Sequence, residues 1–177
     1  MTTIYVDATT LIALGSVGEL AVLTALSGTL TIVPDIRAEV TTQPARENLD
    51  QFCARDDVVT AVDSSVGACM DRARSILDAA ERTGDVVLFA AVLAHTDADE
   101  SVAIVSDDRR VRTVADGLGA TVTGTIGVIV RAVADGRSAA EARELVRRID
   151  SRGLHLTAEL RETAETLIDE AAADSRG

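Results

Sequence analysis

Residues 2–12, Thr-Thr-Ile-Tyr-Val-Asp-Ala-Thr-Thr-Leu-Ile, set an apolar run directly before a carboxylate and a helix start. Ile4, Tyr5 and Val6 are β-branched or aromatic, and the absence of polar alternation marks a strand covered on both faces, as strands inside a parallel sheet are. The run ends at Asp7. In an open parallel α/β sheet, ligands collect outside the carboxyl ends of the strands, so Asp7 points toward the expected crevice. Thr9 and Thr10 follow, placed either to cap the next helix or to support the carboxylate. Position alone leaves Asp7 with two readings, a turn or cap residue and an active-site acid.

The alternation of short apolar runs with helical periodicity continues through the chain. Strands are expected over residues 29–33, 58–62, 101–105 and 120–122. Helices are expected over 9–14, 17–26, 45–54 and 66–81, from Pro34, from Asp85, after Asp108, from Gly124 to Ala134, and over 138–150 and 157–173. In the 66–81 segment the predicted inward stripe is Cys69, Ala73, Ile76, Leu77 and Ala80, with Asp71, Arg72, Arg74 and Asp78 in water. The segment 86–94, Val-Val-Leu-Phe-Ala-Ala-Val-Leu-Ala, is apolar on every side and predicts a central buried helix. Strand alternating with helix predicts a three-layer α/β/α sandwich around a central parallel sheet. We expect one domain, its α/β part over residues 1–136 and a helical C-terminal extension, 137–177, packed on it.

Composition narrows the chemistry. All 17 basic residues are arginines, and the net charge is −12. Without lysine there is no phosphate-binding P-loop and no Schiff-base chemistry. Aromatic residues make up only 2% of the chain, which argues against recognition of nucleic acid by stacking platforms. Acid in excess fits either a protein adapted to concentrated salt or an acidic protein from a high-GC genome, and we prefer the halophilic reading. At about 1 M salt the Debye length falls to roughly 3 Å, which screens self-repulsion. Cys53 and Cys69 lack metal-site spacing and read as buried free thiols rather than a disulfide or a zinc site. His95 and His155 are isolated and read as structural or surface groups. The N-terminus shows no basic segment followed by an apolar one, and the longest apolar run is too short to span a bilayer, so a cytoplasmic protein with no membrane association is expected.

Acids stand at corresponding places in several units: Asp7 after the first strand, Glu39 on the helix after the second, Asp85 at the mouth of the buried helix, and Asp107 and Asp108 after a late strand. Asp85 alone has two readings, favourable charge at a helix N-terminus, worth about 0.3–1 kcal/mol, and a metal ligand held by a rigid element. Together, carboxylates crowded without lysine or histidine repel one another unless a cation lies between them. Oxygen-only donors suit Mg²⁺ or Mn²⁺, and such ions activate water for in-line displacement at phosphorus.

These same residues carry a family resemblance. Residues 4–12, Ile-Tyr-Val-Asp-Ala-Thr-Thr-Leu-Ile, resemble the opening motif of PIN-domain proteins, with the first acid at Asp7 and the small hydroxyl residue at Thr9. Residues 34–40, Pro-Asp-Ile-Arg-Ala-Glu-Val, are similar to the second motif, with its acid at Glu39. Gly84-Asp85 before an Ala-rich helix resembles the third motif, and residues 105–109, Val-Ser-Asp-Asp-Arg, the fourth. Residues 124–127, Gly-Thr-Ile-Gly, with the helical tail, resemble a prokaryotic branch of the family. The resemblance implies a Mg²⁺- or Mn²⁺-dependent endoribonuclease, often the toxin of a VapBC-type toxin–antitoxin pair, dimeric and inhibited by a small antitoxin. It implies metal ligation by Asp7, Glu39, Asp85 and a fourth acid. Asp108 is preferred as the fourth, because Arg109 follows it, with Asp107 second. Arg109, Arg110 and Arg112 supply either a local RNA-binding patch or a solvated face paired with nearby acids. The alternative activity is a catalytically silent module that binds RNA or a partner protein.

Overall fold

The computed structural model describes residues 1–175. Strands β1 (Thr3–Val6), β2 (Thr29–Thr31), β3 (Val58–Val59), β4 (Val102–Val105) and β5 (Thr121–Thr123) form one parallel sheet in the order β3-β2-β1-β4-β5. β1 is central: Thr3 lies opposite Thr29 on one side and Val102 on the other. Its residues Ile4, Tyr5 and Val6 are buried, as their unbroken apolar run requires. The chain builds outward from β1 to β3, then returns to place β4 on the other flank of β1. The order therefore reverses between β1 and β4, and their carboxyl ends border the crevice of an open α/β sheet.

The helices are α1 (Ala8–Gly15), α2 (Pro34–Glu39), α3 (Ala45–Cys53), α4 (Ser64–Leu77), α5 (Gly84–Asp97), α6 (Arg109–Gly117), α7 (Thr125–Ala134), α8 (Ala139–Ile149) and α9 (Ala158–Asp174). α5 packs with α2, α4 and α6, whereas α1, α3 and α7–α9 gather with a 3-10 turn at Leu20–Ala25. The sheet between these groups completes an α/β/α sandwich. α5 is buried from Val86 to Ala94, because a helix apolar on every side has no face to offer water. α8 and α9 pack on each other and on α7. Arg137 and Arg148 both reach Glu19, at 2.9 Å each, and tie these helices to the segment after α1.

The structure departs from the sequence reading at several places. Residues 17–26 do not make an α-helix: Gly18 takes a left-handed φ of 72°, and only the 3-10 turn follows. The third strand stops at Val59, where its pairing with β2 ends. α4 ends at Leu77 because Asp78 adopts φ 51°, so its inward stripe is Val66, Cys69, Ala73 and Leu77. Ile76, expected inside, is 45% exposed, and Ala80 lies outside the helix in water. Arg74, expected in water, is half-buried. Cys53 and Cys69 are free thiols, Cys69 buried as expected and Cys53 only half-buried. No helix among the described residues is long and apolar enough to cross a membrane.

Candidate active site

At the end of β1, Asp7 is only 3% exposed and caps α1. A buried carboxylate must be hydrogen-bonded to be tolerated, and three donors meet this one. Oδ1 accepts from the Ala8 amide at 2.7 Å, and Oδ2 accepts from the Thr9 hydroxyl at 2.8 Å and the Ser106 hydroxyl at 2.6 Å. Thr9 also accepts from the Asp107 amide at 3.2 Å, so it links the ends of β1 and β4.

Ser106 makes the same link from the other side. It is fully buried after β4, donates to Asp7 and accepts from the Asp108 amide at 3.0 Å. Neither Ser106 nor Thr125 figures among the sequence-derived site residues. The available signal for Ser106 was its position: a small hydroxyl between a strand end and two acids, matching Thr9 after β1.

Asp107 and Asp108 turn in different directions although they are adjacent. Asp107 faces the start of α7: its Oδ1 accepts from the Thr125 amide at 2.8 Å, and its Oδ2 from the Thr125 hydroxyl. Gly124 makes this approach possible, since a Cβ there would stand 2.7 Å from Asp107 Oδ1. Asp108 caps α6, with Oδ1 accepting from the amides of Arg110 at 2.7 Å and Val111 at 3.1 Å.

Glu39 ends α2 and its Oε1 accepts from the Gly84 amide at 2.9 Å. This contact fixes α2 against the mouth of α5, and it needs glycine: a Cβ on Gly84 would fall 2.4 Å from both Glu39 Oε1 and Ile36 Cδ1. One residue on, Asp85 occupies the first turn of α5. Its carboxyl is pushed up to about 6, first by burial and then by the charges of Asp7, Glu39 and Asp108, with Arg110 pulling the other way. Asp7, Glu39, Asp85 and Asp108 thus share one electrostatic field although they come from separate elements.

The donor chemistry is four carboxylates without nitrogen or sulfur, the set that hard divalent cations prefer. Among the described residues, no group of three or more His, Cys, Asp or Glu side chains stands arranged to hold an ion. The charges of Asp7, Glu39 and Asp108 nonetheless reach the Asp85 carboxyl.

The basic residues after Asp108 form a rim. Arg109 and Arg112 are exposed on α6, while Arg110 donates to the Leu77 carbonyl at 3.2 Å. The histidines stand apart. His95 lies ten residues along α5 from Asp85, about 15 Å at the rise of an α-helix. It bonds Tyr5 at 3.0 Å and Glu100 at 2.8 Å. Burial, then the charges of Asp63 and Glu100, push the Tyr5 hydroxyl up to about 12. His155 lies exposed between α8 and α9.

A family model described as a PIN domain matches residues 3–170. No curated protein and no solved structure matches the chain.

Proposed function

The chain belongs to the PIN-domain family, a nuclease-type fold, and on that premise we propose that it is a Mg²⁺- or Mn²⁺-dependent endoribonuclease. The observation that carries this reading is the convergence of four carboxylates from separate elements: Asp7 and Asp108 are linked through Ser106, Glu39 is bonded to the Gly84 amide beside Asp85, and the charges of the other three reach Asp85. Asp7, Glu39, Asp85 and Asp108 would hold the cation. Once bound, it supplies the positive charge that activates water and steadies the leaving oxygen at phosphorus.

The protein's own groups have separable duties in this reading. Asp7 is oriented by Ala8, Thr9 and Ser106, so its position is set before any ligand arrives. Asp108 is anchored through Oδ1 alone, which leaves Oδ2 for a ligand. Asp107 is engaged through both oxygens by Thr125 and acts as a brace between β4 and α7. Asp85 holds a proton below about pH 6 and releases it above, when no cation offsets its neighbours.

The test is cleavage of a labelled RNA panel with Mn²⁺ or Mg²⁺, comparing wild type with Asp7→Asn and Asp85→Asn. Asp7→Asn should lower cleavage by about 10²–10³-fold, the loss typical of removing one fixed electrostatic group from an active site. Wild type that neither cuts nor binds divalent metal by calorimetry would leave a silent binding module in place of the enzyme. In the proposed biological setting, a toxin–antitoxin pair, induced expression arrests growth and Asp7→Asn relieves the arrest.

A further inference from the structure

Arginine is this chain's only strong cation, and its distribution is uneven. In the described residues every arginine outside one region is paired with an Asp or Glu. Arg109, Arg110, Arg112 and Arg152 have no carboxylate partner among those residues. Acids are not scarce in a chain of net charge −12. The unpaired guanidiniums nonetheless collect beside the carboxylate cluster: Arg109, Arg110 and Arg112 follow Asp108 in sequence, and Arg152 arrives from the C-terminal helices.

Arg152 sits on the turn Asp150–Leu154, which joins α8 to the stretch before α9. Asp150 secures that turn, accepting from the Leu156 amide at 2.8 Å and from Arg161 Nε at 2.7 Å. The turn closes one side of a cavity of about 400 Å³ whose other walls include Thr9, Ile12, Asp107 and Asp108. A second cavity of about 370 Å³ shares Asp107 and Leu154 with the first and carries Arg112 beside Gly124. Both volumes fall in the range of ligand sites. The two adjoin at Asp107 and Leu154 and carry one unpaired arginine each, and Asp108, on the wall of the first, is linked to Asp7 through Ser106.

We infer that Arg152 is a substrate-binding residue, holding a backbone phosphate of a single-stranded RNA that lies in this groove next to the cleavage site. The inference rests on the nuclease reading above and adds to it a wall of the site built by the C-terminal helices. A guanidinium is suited to the task because its fork of donors matches two phosphate oxygens. Ile12 and Leu154 give the sugar and base an apolar floor. Asp107 and Asp108 on the facing wall repel phosphate, so the strand is held toward the Arg152 side and the acids remain for the cation.

Arg147, exposed on α8 and paired with Glu144, serves as the control, since its loss removes an equal charge away from the groove. The experiment is fluorescence anisotropy of a labelled single-stranded RNA 12-mer, titrated at several KCl concentrations. The proteins carry Asp85→Asn to block cleavage, with or without Arg152→Ala or Arg147→Ala. Steady-state cleavage is then measured with Asp85 restored. Arg152→Ala should weaken binding about tenfold and lower the salt slope by about 0.7, the value for one contact to a single-stranded phosphate. It should raise KM with kcat little changed, and leave the melting temperature in place. Arg147→Ala should do none of this. Binding, salt slope and KM unchanged in Arg152→Ala, with wild type still cleaving, would overturn the inference and spare the nuclease. Wild type that does not cleave the RNA at all would remove both.

Discussion

Asp35 and Asp85 lie on helices that pack together, α2 and α5, and their carboxyls are displaced in opposite directions. Asp35 takes a two-pronged contact from Arg82, at 2.6 and 2.7 Å, which holds its carboxyl below the usual range. Asp85 is half-buried, and burial first, then the charges of Asp7, Glu39 and Asp108, raise its carboxyl to about 6. The same contrast divides the molecule. On the periphery several acids are matched by arginines, as in Arg37 and Arg46 on Asp50 or Arg137 and Arg148 on Glu19. At the carboxyl edge of the sheet they are matched by one another. Pairing of the first kind serves the fold, whereas unrelieved repulsion of the second kind is tolerated where a ligand is to relieve it.

The largest expected effect separates the two adjacent acids. Asp108→Asn keeps the helix cap, since asparagine caps as well as aspartate, and removes a charge from the field of Asp85. RNA cleavage should fall by about 10²-fold or more at unchanged melting temperature. Asp107→Asn should instead cost about 1–3 kcal/mol of stability through weakened contacts to Thr125, with most activity retained. The reverse pattern would make Asp107 the fourth member of the cluster and dissolve the division of duties drawn above.

Next comes Ser106→Ala, which strips one donor from Asp7 and leaves the Asp108 amide without its partner. Activity should drop about 10–100-fold, as when an orienting partner of a ligand is lost. Thermal unfolding should register about 1–3 kcal/mol, or roughly 2–4 °C per kcal/mol for a chain of this size.

A smaller effect concerns pH. Asp85 binds its proton more tightly in the folded protein than in the unfolded chain, where 3.8 is its ordinary value. Its contribution to stability is therefore full below about pH 4 and is lost as pH rises to about 6. Without divalent ions, the melting temperature of wild type should fall over that window relative to Asp85→Asn. Adding Mg²⁺ or Mn²⁺ should narrow the gap at pH 7 more than at pH 5. Parallel curves for the two proteins would mean that Asp85 does not feel its neighbours.

The smallest effect is on the periphery. Asp35, with its pKa lowered, contributes stability above its unfolded value and loses it as pH falls. Because Arg82 is largely exposed, Arg82→Ala should cost less than about 1 kcal/mol at pH 7, measured by denaturant unfolding. A cost as large as that of Ser106→Ala would erase the distinction between periphery and centre.

Much of this organisation was legible in the chain. Local chemistry reported the strand at Ile4–Val6, the buried helix from Val86 to Ala94, and the acids at their ends, because periodicity and punctuation act over a few residues. It failed where a single left-handed residue stops a helix: Asp78 ends α4 and leaves Ile76 exposed, although helical spacing continues in the sequence to Glu81. Segment 17–26 failed similarly, with Gly18 turning the chain before the helix could form. Ser106 and Thr125 stand inside the quoted motifs, but the carboxylates they meet, Asp7 and Asp107, lie 99 and 18 residues away, so their roles were not assigned from the sequence.

By itself, then, the sequence determined the alternation of strand and helix, the parallel sheet and the placement of acids at strand and helix ends, all through short-range propensity and patterning. Tertiary structure decided which way each acid turns and what it feels. Asp107 and Asp108 are neighbours with the same side chain, yet one meets Thr125 and the other acts on Asp85. Only packing brings β1, β4, α2 and α5 within the distance over which charges interact, and that distance, which no local pattern encodes, is what distinguishes a helix cap from a member of a site.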